Sequence, residues 1–179
     1  MNKLKTLIAI SIFTVIFIAC NQASNKIANG GHNEPTVINS ASNVVLKDAK
    51  INAAFKNYLS LKNALVASNV EDARKAAAEL NKSLSQIEGC TNTASIAKNI
   101  SASSDIAEQR KDFTPLSSDF IALLKHADVE KGTMYVQYCP MANSGKGSYW
   151  MASGKDIKNP YYGDEMLNCG EVKETITRK

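Results

Sequence analysis

Hydrophobic positions recur at three- and four-residue spacing through most of the chain and turn to alternation only near its end. That pattern predicts a helical bundle closed by a short stretch of strand. Ile51, Ala54, Phe55, Tyr58, Leu61 and Leu65 form one apolar stripe among lysines and asparagines, so a first helix is expected over about 46–67. Asn69 stands where it would cap a second helix, with Glu71 and Asp72 favouring its positive end. Ala73, Ala76, Leu80, Leu84 and Ile87 supply the second stripe, and Gly89 is its expected stop. The short link makes these two helices antiparallel neighbours. A weaker repeat of Ile96, Ile100 and Ile106 gives a helix over about 93–107, and Phe113, Leu116, Phe120, Leu123 and Leu124 give another that ends near Ala127. Pro115 either begins the regular part of that helix, with Thr114 as cap, or marks a kink in one longer helix.

Beyond Gly132 the run Met134 to Tyr138 alternates and is aromatic and β-branched, so it reads as a strand, with Val172 to Ile176 as antiparallel partner. Gly145, Gly147, Gly154 and the Asn159-Pro160 pair break regular structure between them and force a compact loop. The expected fold is mainly α: an antiparallel bundle of three to four helices capped by a C-terminal irregular loop with a short β-hairpin.

The N-terminus changes the picture of where the protein works. Lys3 and Lys5 precede an apolar run from Leu7 to Ala19, which ends at Cys20. This is the pattern of a secretory signal, too short for the roughly 20 residues of a spanning helix. Phe17-Ile18-Ala19-Cys20 resembles a bacterial lipobox, which makes Cys20 the lipidated first residue of the mature protein. The domains expected are therefore a signal peptide over 1–19, a flexible Asn-, Ser- and Gly-rich tether over 20–45 that contains a solvated His32, and a folded domain over 46–179. The compartment is an oxidising one in the cell envelope, where disulfides persist. Without Lys3 and Lys5 the formal charge falls from +4 to +2, too weak a bias for a nucleic-acid partner.

Candidate chemistry gathers between Met134 and Gly170, which hold two of the four cysteines, four of the five methionines and the one tryptophan. Cys139-Pro-Met141 and Met166-Leu-Asn-Cys169 each place a thiol and a thioether within a few residues. Two such half-sites brought together would offer Cu(I) soft ligands without a charged oxygen donor. Met134 and Met151 are further thioethers, and His126, at the end of its helix, is either a surface cap residue or an additional ligand. The competing reading is a Cys139–Cys169 disulfide that staples the loop, with the methionines as core filler. Trp150, Tyr161 and Tyr162 are then the candidate contacts to a protein partner. Zinc fits less well, because no Cys-x2-Cys pair is present, and no nucleophile or phosphate-loop motif supports catalysis.

The run Cys139-Pro-Met-Ala142, Lys146-Gly147, Trp150, Asn159-Pro-Tyr-Tyr-Gly163, Met166-Leu167 and Cys169-Gly-Glu-Val172 resembles an uncharacterised domain of Gram-negative lipoproteins. The same domain occurs at the C-terminal end of periplasmic adaptor subunits of copper and other heavy-metal efflux pumps, and the likeness extends over about Leu46 to Ile176. The resemblance implies a lipid-anchored, outer-membrane protein facing the periplasm that handles a heavy metal, and an efflux adaptor as its partner. Met151 stands where that family carries leucine.

Overall fold

The chain enters its first helix through a cap that its sequence supplies. In the computed structural model, which describes residues 43–178, Asp48 accepts the backbone N–H groups of Lys50 and Ile51 at 2.8 and 3.0 Å and opens α1, Ala49–Val66. Asn69 accepts the N–H of Asp72 at 3.0 Å and opens α2, Val70–Leu84, as expected from the sequence. α2 ends five residues before Gly89, which instead takes a positive φ in the turn that leads to α3, Thr91–Ala102. Ser103 is extended, so α3 does not run on, and Asp105 caps α4, Ile106–Lys125, through the N–H of Ala107. Pro115 lies inside α4, so Thr114 is not a cap and the longer helix is the one that forms.

Each helix packs on the next, α1 on α2, α2 on α3 and α3 on α4. Asn57 Nδ2 to Ser83 Oγ (2.7 Å) and Asn81 Nδ2 to the Ala94 carbonyl (2.7 Å) tie the first two pairs. The Tyr58 ring lies between those of Phe113 and Phe120, at centroid distances of 5.4 and 4.5 Å, in a core filled by Leu61, Leu65, Leu80, Leu84, Ile100, Leu116 and Leu124.

Strand is more plentiful than the sequence pattern predicts. β1, Val45–Leu46, pairs with β2, Val129–Lys131, and both Val44 and Leu46 are buried, so the folded unit begins before residue 46. β3, Thr133–Cys139, is the centre of a three-stranded antiparallel sheet, flanked by β4, Ser148–Ala152, and by β5, Glu171–Thr177. β5 is the expected partner of β3, whereas β4 falls in what the glycines mark as loop. The fold is thus a helical bundle with a substantial C-terminal strand region rather than a bundle with a small cap.

α4 packs against β4, and the outer edge of that strand is sealed by two tyrosines. The N–H of Met151 donates to the Tyr58 hydroxyl (3.0 Å), and the Tyr161 hydroxyl donates to the Tyr149 carbonyl (2.7 Å). An edge strand otherwise presents unpaired backbone groups. The signal peptide, Cys20, the tether and His32 lie outside the described residues; among those described, no helix is long and apolar enough to cross a membrane.

Candidate metal centre

β3 delivers Cys139 to the end of the sheet remote from the β1–β2 pair, and the tight turn Ala142–Gly145 returns the chain into β4. Asn143 and Ser144 in this turn have φ of 52° and 56°, an uncommon left-handed conformation for non-glycine residues. The turn raises Met141 to the surface, where it is 52% exposed. The second half-site arrives from the segment after β4, and buried Asn159 fixes it. Asn159 donates through Nδ2 to the Cys169 carbonyl (3.0 Å), its N–H reaches the Leu167 carbonyl (2.9 Å), and its Oδ1 accepts from the N–H of Tyr161 (2.8 Å). Arg110 of α4 clamps the same segment, donating to the carbonyls of Pro160 and Leu65 at 3.0 Å and to Ser68 Oγ at 2.8 Å.

The two half-sites meet. Cys139 and Cys169, 30 positions apart, stand as free cysteines with their Sγ atoms 2.6 Å from one another. The Cys169 thiol is pushed up by its contact with Cys139 and by burial, while the backbone of Met141 pulls it back. Tyr162 donates to the Met141 carbonyl (2.6 Å), and the N–H of Cys169 reaches the Met166 carbonyl (3.0 Å), so both thioether-bearing segments flank the thiol pair. Met166 is half-buried. Two metal–sulfur bonds of about 2.3 Å in a tetrahedral arrangement hold their sulfurs about 3.7 Å apart. The thiols would have to part by about 1 Å to share an ion. Among the described residues, no group of three or more His, Cys, Asp or Glu side chains forms a metal cluster.

Other candidates do not join this corner. Met151 is fully buried in β4, opposite Val136, and Met134 is fully buried opposite Ile176. Both belong to the core. His126 is the exposed C-cap of α4, just before β2, whereas Cys139 closes the far end of β3, a strand of roughly 20 Å at about 3.3 Å per residue. Trp150 and Tyr161 are buried, with 0% and 7% exposure, and cannot meet a partner; Tyr162 is half-buried and bonded to Met141. Among the described residues, the large hydrophobic side chains that are exposed are Met141 and Tyr149.

Asn159, which the sequence marks only as a break in regular structure, Arg110, and Gln137, whose Nε2 donates to the carbonyls of Gly154, Lys155 and Asp156, hold the segment after β4 in place. For Gln137 a signal existed: a polar residue at an inward position of an otherwise apolar and aromatic strand. Arg110 carried none, because its partners, two backbone carbonyls and Ser68 Oγ, are distant in sequence. Neither a curated protein nor a solved structure matches the chain. Residues 54–132, from α1 to the start of β3 and short of the sulfur corner, are similar to a protein family of unknown function, DUF3347.

Proposed function

We propose that this is a lipid-anchored, periplasm-facing binding protein for a soft heavy-metal ion, Cu(I) first, which buffers the ion or passes it to an efflux system. Cys139 and Cys169 are its thiolate ligands, and Met141 and Met166 its thioethers. The observation that carries the reading is the convergence of two Cys/Met half-sites, 30 positions apart, at one corner of the sheet with Met141 exposed beside it. Sulfur ligands without a charged oxygen donor favour Cu(I). The anchor and the envelope location rest on Lys3, Lys5, the apolar run and Cys20.

Anaerobic titration of the reduced protein against a chromogenic Cu(I) chelator tests this. The wild type should take one equivalent from the chelator, Cys139→Ser should lose it, and Met141→Leu combined with Met166→Leu should weaken it at least tenfold. Failure of the reduced wild type to compete rejects the metal reading.

A second reading is favoured by the 2.6 Å sulfur separation, which needs no ion. It makes the pair a disulfide staple in a non-catalytic envelope interaction module, with Tyr149 and Met141 as the exposed contacts to a partner. Unreactive Cys139 and Cys169 in the non-reduced protein would support it.

A further inference from the structure

Among the described residues, four buried side-chain polar atoms make no hydrogen bond, and three of them share one patch: Gln137 Oε1, Trp150 Nε1 and Ser148 Oγ. Directly opposed residues of an antiparallel ladder lie on the same face, and so do residues two apart on a strand. Gln137 pairs with Trp150 and Cys139 with Ser148, so these four residues tile one continuous face of β3 and β4. The segment after β4 covers it. Gln137 Nε2 donates to the carbonyls of Gly154, Lys155 and Asp156 at 3.1–3.2 Å, and Trp150 packs edge-on against Tyr161 at 6.1 Å.

Those three carbonyls also fix which end of the Gln137 amide is which, because only the nitrogen donates. Oε1 is therefore an unpartnered acceptor on the residue paired with Trp150, whose indole N–H can only donate and is likewise unpartnered. Ser148 is close enough to the Tyr161 hydroxyl to act on it, while that hydroxyl gives its own proton to the Tyr149 carbonyl. A buried donor or acceptor left unpaired is costly, and an ordered water that bonds it relieves that cost.

We infer that this face is a binding site for internal water, seated between Trp150 Nε1 and Gln137 Oε1 and within reach of Ser148. The donor and acceptor pattern selects the occupant. A cation is repelled by the indole N–H and an anion by the amide oxygen, whereas water accepts from the first and donates to the second. The site lies on the same face as Cys139 and is independent of any ion bound by the sulfurs.

Trp150 is the one tryptophan, so the protein has a single indole N–H resonance. Water-to-indole NOE and ROE transfer, measured on the metal-free protein, should give a cross peak with the opposite signs of a long-lived bound water. Absence of transfer, or the equal signs of simple proton exchange, would overturn the site. Gln137→Met removes the acceptor and should reduce the transfer at least fivefold; unchanged transfer in the folded variant would overturn the seat assigned to the water. Should that variant not fold, the wild-type measurement decides alone.

Discussion

Lys62 is a lysine whose chemistry departs far from its type. It lies on α1 one turn from Tyr58, is 7% exposed, and has its pKa lowered to about 8 from an ordinary 10.5 by burial first and by Lys158 second. The charged amine is disfavoured in the fold, so between pH 8 and 10.5 the unfolded chain binds more protons and stability rises with pH. Below pH 8 the full penalty is present, roughly 3 kcal/mol for a shift of this size. Lys62→Met keeps the aliphatic stem and removes the charge. It should stabilise the protein by about 1–3 kcal/mol at pH 7, with the gain fading from pH 8 and gone above 10.5. Urea denaturation at pH 7, 9 and 10.5 reads this, and a gain that did not change with pH would contradict it. Tyr58 and Tyr161 titrate in the other direction: burial holds both phenols far above their ordinary value, so their hydroxyls remain neutral partners of the β4 edge.

At the scale of elements, the helices were legible because burial of one face imposes a period that survives in the sequence. Ala54, Phe55, Tyr58, Leu61 and Leu65 are all buried as their spacing implies, and the capping of α2 by Asn69 needed only neighbouring residues. β4 was not legible. Trp150, Met151 and Ala152 are buried in succession, so Ser148–Ala152 shows no alternation, and Gly147 and Gly154 flank it with the signature of a loop. β1 has two residues, too few for any period. The junction between α1 and the 3₁₀ turn Gly163–Met166 depends on a different device. Gly163 has φ of 59°, and a Cβ there would stand 2.6 Å from Ser68 Oγ, 2.8 Å from Arg110 Nη2 and 2.9 Å from the Val66 carbonyl. Gly163→Ala should displace the Arg110 clamp and cost about 2–4 kcal/mol, from backbone strain and lost hydrogen bonds together. A thermal midpoint within a degree of wild type would show that the clamp adjusts freely.

For the whole molecule, the state of the sulfur pair sets how firmly the C-terminal segment is held. A Cys139–Cys169 bond would close a loop of 30 positions and, in the chain-entropy model, stabilise by roughly 3–4 kcal/mol. On the staple reading, a reducing agent should lower the denaturation midpoint by that equivalent, and Cys139→Ala should abolish the sensitivity. A midpoint indifferent to reductant would rule the staple out and leave the thiols available to an ion. The segment also has the Asn159 and Arg110 hydrogen bonds, so reduction should loosen the fold without unfolding it.

The sequence by itself determined the helical stripes, the α2 cap, the β3–β5 pairing and the two close Cys/Met spacings, because each rests on residues near one another or on a period set by burial. Only the tertiary structure decided which candidates share a place. Cys139 and Cys169 meet because β3 and the Asn159-anchored segment converge, Met151 is spent in the core, His126 sits at the other end of the sheet, and Trp150 and Tyr161 are inside. The physical reason is that exposure and proximity are properties of the packed surroundings. Gln137, Trp150 and Ser148 become neighbours through a strand register that no local stretch of sequence encodes.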